Sequence, residues 1–182
     1  MKSAKKILAL ILAGVMALAL LTGCGKSTSL NRTMAEGIAE YQKSTYARMG
    51  NKNNISVSYQ VPELSRDIAP LFDENWITYD EDDGYDVLNE NYMVNGKTVK
   101  ATLTDILSPY MSAPAVTFLV ADVTDVKTTF MKTVNLASSS IGLRTADPYN
   151  FDAASITSMK IAVTRKTVKG RTYALAVVIF EK

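Results

Sequence analysis

Residues 159–182 read MKIAVTRKTVKGRTYALAVVIFEK, and this closing stretch decides the fold. Met159, Ile161 and Val163 alternate with Lys160, Thr164 and Lys166, the period of a strand with one wet face. Lys169-Gly170 turns the chain. Tyr173 to Phe180 is then apolar at every position, as in a central strand covered on both sides. Such a pair needs neighbours on both faces. The expected class is α+β: an antiparallel sheet packed by about three or four helices and closing with a C-terminal β-hairpin.

Working upstream, Ile141 to Thr145 is a short strand candidate. Val126, Phe130 and Val134 mark a helix between Asp125 and Ala137. AVTFLVADV, residues 115–123, is apolar enough for a strand or a buried helix, and its Val, Thr and Phe content favours the strand. A short helix is expected from Thr104 to Met111, ended near Pro114. In YMVNGKTV, Asn95-Gly96 between two short apolar runs is a strong hairpin signal. PELSRDIAPLFDENW opens with Pro62 at a first helical position and puts Leu64, Ile68, Leu71 and Phe72 on one side, with Pro70 bending or stopping the helix. ISVSYQV alternates Ile55, Val57, Tyr59 and Val61 against polar residues, a half-buried strand.

The first long helix carries Leu30, Met34, Ile38, Tyr41, Thr45 and Met49 at spacings of three and four. Thr33 and Glu36 suit a capping box, and Gly50 suits the C-terminal turn. Its other face mixes Glu36, Glu40, Lys43 and Arg48, which favours core packing over a basic, membrane-lying helix. No repeat or low-complexity segment interrupts residues 30–182, so they are expected to form a single α+β domain.

The chain begins differently. Lys2, Lys5 and Lys6 precede an apolar run from Ile7 to Leu21, and small residues follow at once; that layout is an export signal. An uncleaved membrane anchor is the alternative, because the uncharged run approaches the ~20 residues a span requires. Leu21-Thr22-Gly23-Cys24 resembles the lipobox of bacterial lipoproteins. The resemblance implies that Cys24 carries a diacylglyceryl group with fatty chains such as palmitate, and that residues 1–23 are removed. Two or more chains hold a protein firmly at a bilayer. Residues 24–29 then form a short tether, and five residues of it reach at most ~18 Å.

Of 182 residues, removal of the leader leaves 159, enough to bury a core without disulfides. The leader takes three of the 20 basic residues and none of the 18 acidic ones, which moves the net charge from +2 to −1. A near-neutral domain has no electrostatic claim on nucleic acid. The chain has no His and one Cys. With that Cys lipidated, His-based triads, Cys nucleophiles and His-rich zinc sites are excluded.

Three candidate sites remain. The acidic run Asp80, Glu81, Asp82, Asp83, Asp86 and Glu90 invites a calcium reading through Asp80, Asp82, Asp83 and Glu90. With Gly84 placed sixth in such a loop, Tyr79 falls first, where a carboxylate is required. An acidic solvated turn is therefore preferred, and no cofactor is expected. Trp76 with Tyr79, Tyr85 and Tyr92 would make an aromatic platform for sugar or peptide, although Trp76 is better placed to cap the core. Glu63, Asp67, Asp73 and Glu74 supply carboxylates for a wall hydrolase, with no pair singled out.

The element order also resembles the CAP superfamily of secreted SCP-like proteins. An early helix and a late helix are followed by IGLRTA and the closing pair, with Gly170, Tyr173 and Phe180 in similar places. That likeness implies a cleft with two His and two acids, which a chain without His lacks; kinship would make it a degenerate, binding member. The sequence thus leads to a lipid-anchored protein on the extracytoplasmic face of the cell membrane. Its domain is expected to bind an envelope ligand or protein, with a carboxylate-based cell-wall hydrolase as the alternative.

Overall fold

In the computed structural model, which describes residues 29–145 and 152–182, a five-stranded sheet lies between two layers. The lipobox, the leader and most of the tether fall outside the described residues. Helix α1 spans Leu30–Arg48. Strand β1 is Ser56–Ser58. A π turn at Leu64–Ile68 leads into α2, Ala69–Leu71. Two small hairpins follow: β2, Ile77–Asp80, with β3, Tyr85–Leu88, and β4, Met93–Val94, with β5, Lys97–Thr98. Helix α3 is Val99–Ile106, β6 is Ala115–Asp122, α4 is Thr129–Ala137 and β7 is Gly142–Arg144. The chain ends in β8, Ser158–Val168, and β9, Arg171–Glu181.

The sheet order is β1-β8-β9-β6-β7. The closing hairpin is present, and Lys169 and Gly170 both take positive φ, the geometry a two-residue hairpin turn requires. Strand β9 is the hub. Ala174, Ala176, Val178 and Phe180 face a core with Met34 and Ile38 of α1 and Leu136 of α4. Tyr173, Leu175, Val177 and Ile179 face a second core with Leu64, Ile68, Phe72, Trp76 and Leu103. The period of two along one buried strand thus feeds both layers.

The expectation of a wholly antiparallel sheet is corrected at one edge. Strand β1 pairs parallel to β8, Ser56 opposite Ser158 and Ser58 opposite Lys160, so the sheet is mixed. Burial does alternate from Ile55 to Val61, but only three residues join the ladder. Pro62, which cannot donate to a ladder, follows closely.

Helix starts also differ from the expected ones, each for a capping reason. Helix α1 is capped by Ser29, whose Oγ accepts from Arg32 N at 3.3 Å; Thr33 already lies inside the helix. Its far end closes on Gly50 as expected, with Gly50 N donating to Ala47 O and Asn51 N to Tyr46 O. Tyr46, rather than Met49, completes the buried stripe. Helix α3 begins at Val99 because Thr98, the last hairpin residue, accepts from Ala101 N at 3.1 Å. Helix α4 begins at Thr129 because Thr128 accepts from Met131 N at 3.2 Å. Pro70 does end its helix one residue later, after a π turn in which Ala69 N bonds Leu64 O. That extra residue relieves the crowding a proline imposes on the preceding turn.

Candidate functional site

The mismatch between β8 and β1 creates a groove. Strand β8 has 11 residues, and β1 pairs with only Ser158, Met159 and Lys160. Beyond Ser58 the chain leaves the edge at Tyr59 and Gln60 and crosses to the second core at Val61 and Leu64. A cavity of about 500 Å³ opens where it departs. Its floor is the β8 edge from Ile161 to Thr164, one wall is Ser29, Asn31, Arg32 and Ala35 of the α1 start, and the other runs from Tyr59 to Ser65. None of the described residues that line it is Asp or Glu.

Two interactions shape the α1 wall. The Arg32 guanidinium lies 3.4 Å from the centre of the Tyr59 ring. Its Nε also donates to Glu36 Oε1 at 2.7 Å. Tyr59 lies just past the ladder, on the rim. Burial pushes the Tyr59 hydroxyl above its usual range, with Arg32 opposing that and Glu36 and Glu40 adding to it, so the phenol is neutral.

The β8 edge itself is an unfinished ladder. Among the described residues no strand pairs with Ile161–Val168 on that side. Alternate backbone N–H and C=O groups of an edge strand point outward without partners. Arg165 Nε donates to Asn31 Oδ1 at 3.0 Å, and Lys166 Nζ to Pro70 O at 3.4 Å. Neither cation joins an ion pair among the described residues.

The aromatic platform does not assemble. Trp76 is 0% exposed and packs edge-on against Phe72 and Phe118, with ring centres 5.6 and 6.3 Å away. Its indole offers no surface to a ligand; it is core. Tyr79 and Tyr85 are 60% and 46% exposed, but the register pairs Tyr79 with Asp86 and Asp80 with Tyr85. Adjacent pairs face opposite sides of a two-stranded ribbon, so the two phenols diverge. Tyr92 packs against the second core and receives Asn75 Nδ2 at 3.3 Å.

The acidic residues are likewise divided. Asp80 Oδ1 accepts from Asp82 N at 3.0 Å and Asp83 N at 3.2 Å, which builds the β2–β3 turn. Tyr85 Oη donates to Asp83 Oδ2 at 3.0 Å. Glu90 lies past the other end of the ribbon and pairs with Lys100 at 2.7 Å. Among the described residues, no group of three or more His, Cys, Asp or Glu is placed to hold a metal ion.

The carboxylates suggested for hydrolysis are engaged one by one. Asp67 is held by Arg66 at 2.7 Å, Glu74 by Lys169 at 2.5 Å, and Asp73 caps Asn75 N. Glu63 accepts from Tyr110 Oη at 2.8 Å. Nearby, Lys160 Nζ and Ser158 Oγ donate to Glu181 at 2.6 and 2.9 Å. Lys160 chiefly, and then Ser158, holds the Glu181 carboxyl below its usual range against the effect of burial. These bonds tie the ends of β8 and β9 to each other.

Sequence reasoning missed the groove because it belongs to no motif. The available signal was the long alternation of residues 159–168 against the short run before Pro62. No family model, curated protein or solved structure matches the chain. No helix among the described residues is long and apolar enough to cross a membrane.

Proposed function

We propose that this chain is a lipid-anchored extracytoplasmic protein of the cell envelope, joined to the membrane through lipid on Cys24. Its domain binds an extended polypeptide and catalyses nothing. The groove carries the binding half of this reading. An unpaired strand edge offers ready hydrogen-bond groups, and the described residues of the lining include no carboxylate to serve as acid or base in hydrolysis. The lipobox supports the anchoring half. Ser29 lines the groove and follows Cys24 by five residues, a connection of at most ~18 Å. The binding site would therefore lie close to the bilayer surface.

Anchoring is tested by growing cells with an alkyne fatty acid. The native chain takes up label and Cys24→Ala takes up none; equal labelling removes the anchor. Incubation with purified peptidoglycan tests the other half. No soluble fragments are expected, and release abolished by one carboxylate substitution would establish the hydrolase instead.

A further inference from the structure

We propose that the occupant of the groove is an acidic, extended segment of a partner protein, added to β8 as a sixth strand collinear with β1. This rests on the binding reading above and names the chemistry of its ligand. The 11 residues of β8 less the three paired with β1 leave eight, or about 26 Å of edge at ~3.3 Å each. A strand of about five or six residues fits that length. The guest would take the line that Tyr59 to Val61 abandons. Its side chains would alternate between the α1 wall at Ala35 and the opposite wall at Leu64.

Charge chooses among extended peptides. Arg32 is neutralised by Glu36 at 2.7 Å, whereas among the described residues Arg165 and Lys166 have only neutral oxygen partners. Arg165 and Lys166 are successive strand residues and flank opposite faces of the sheet. Acidic side chains on either face of an added strand therefore meet a cation. The same pair disfavours a second copy of this chain, because two β8 edges brought together would confront like charges.

The full chain, purified in detergent, would be titrated with three fluorescent peptides. One alternates Glu with Val, one alternates Lys with Val, and one is the Glu peptide N-methylated at alternate positions. The Glu peptide should bind more tightly than either of the others by about tenfold or more, and added salt should weaken it. Joint replacement Arg165→Gln and Lys166→Gln should erase the preference between Glu and Lys peptides while the unfolding midpoint stays in place. The N-methylated peptide probes the ladder without altering the protein.

Equal binding of Glu and Lys peptides, indifference to N-methylation, or no binding would overturn the proposal. So would concentration-dependent dimerisation lost in the double variant, or capture of phosphatidylglycerol vesicles through these two cations without peptide binding. Fatty-acid labelling and peptide binding are read on separate samples, so the anchor and this inference fail separately.

Discussion

At Gly142 there is no room for a side chain, since a Cβ there would overlap the carbonyl oxygen of Phe118. Gly142→Ala must push β7 off β6 and should cost about 3 kcal/mol or more, read as a lower urea midpoint with an unchanged slope. Gly37 is a softer case. A Cβ there would lie 2.6 Å from Thr133 Cγ2, where α1 crosses α4. Alanine gains about 1 kcal/mol of helix propensity but strains the crossing, for a net loss of about 1 kcal/mol. Thr133→Ser removes the offending methyl and keeps a hydroxyl for Thr129 O, so the double variant should recover the loss. Glu181 sets a pH dependence. Its folded-state pKa lies below the ordinary 4.5, so its contribution is present above that value and fades as pH falls through the folded one. Lys160→Gln should make the acid limb of the stability curve shallower below about pH 4.5. An unchanged limb would remove Lys160 as the cause.

Among elements, Trp76 and Tyr79 separate packing from surface. Trp76→Ala should cost about 3–5 kcal/mol, and Tyr79→Ala should stay within about 0.5 kcal/mol, by chemical denaturation. The reverse order would restore the aromatic platform. The β4–β5 and β8–β9 hairpins were legible because Asn95-Gly96 and Lys169-Gly170 carry their turn geometry in two adjacent residues. So were β9, apolar at every position from Tyr173 to Phe180, and β6, whose Val, Thr and Phe content favoured a strand over a buried helix. Helix starts were harder to read. The caps are Ser29, Thr98 and Thr128, none of them singled out beforehand, although the first helix does begin at Leu30, the first residue of its apolar spacing. The direction of β1 was not readable at all, since its partner Ser158 lies about a hundred residues downstream. Trp76 was already better read as capping the core than as a platform, and it is fully buried, edge-on against Phe118; its contact with Phe118, 42 residues downstream, was not readable.

For the whole molecule, lipid on Cys24, as we propose, would hold the unpaired strand edge beside Ser29 a short connection away from the bilayer. A site held that near the bilayer would suit a partner that also lies at the envelope surface. No local pattern announces that site, because it comes from two strands of unequal length meeting at a sheet edge. The most direct measurement is amide hydrogen exchange along β8, with and without the Glu–Val peptide. Tyr173 to Phe180 of β9 should exchange slowly throughout. Alternate amides between Ile161 and Lys166 should exchange fast in the free chain and slow when the peptide is added. If those amides are already as protected as β9 before any peptide is present, the edge is not open and the account of binding is contradicted.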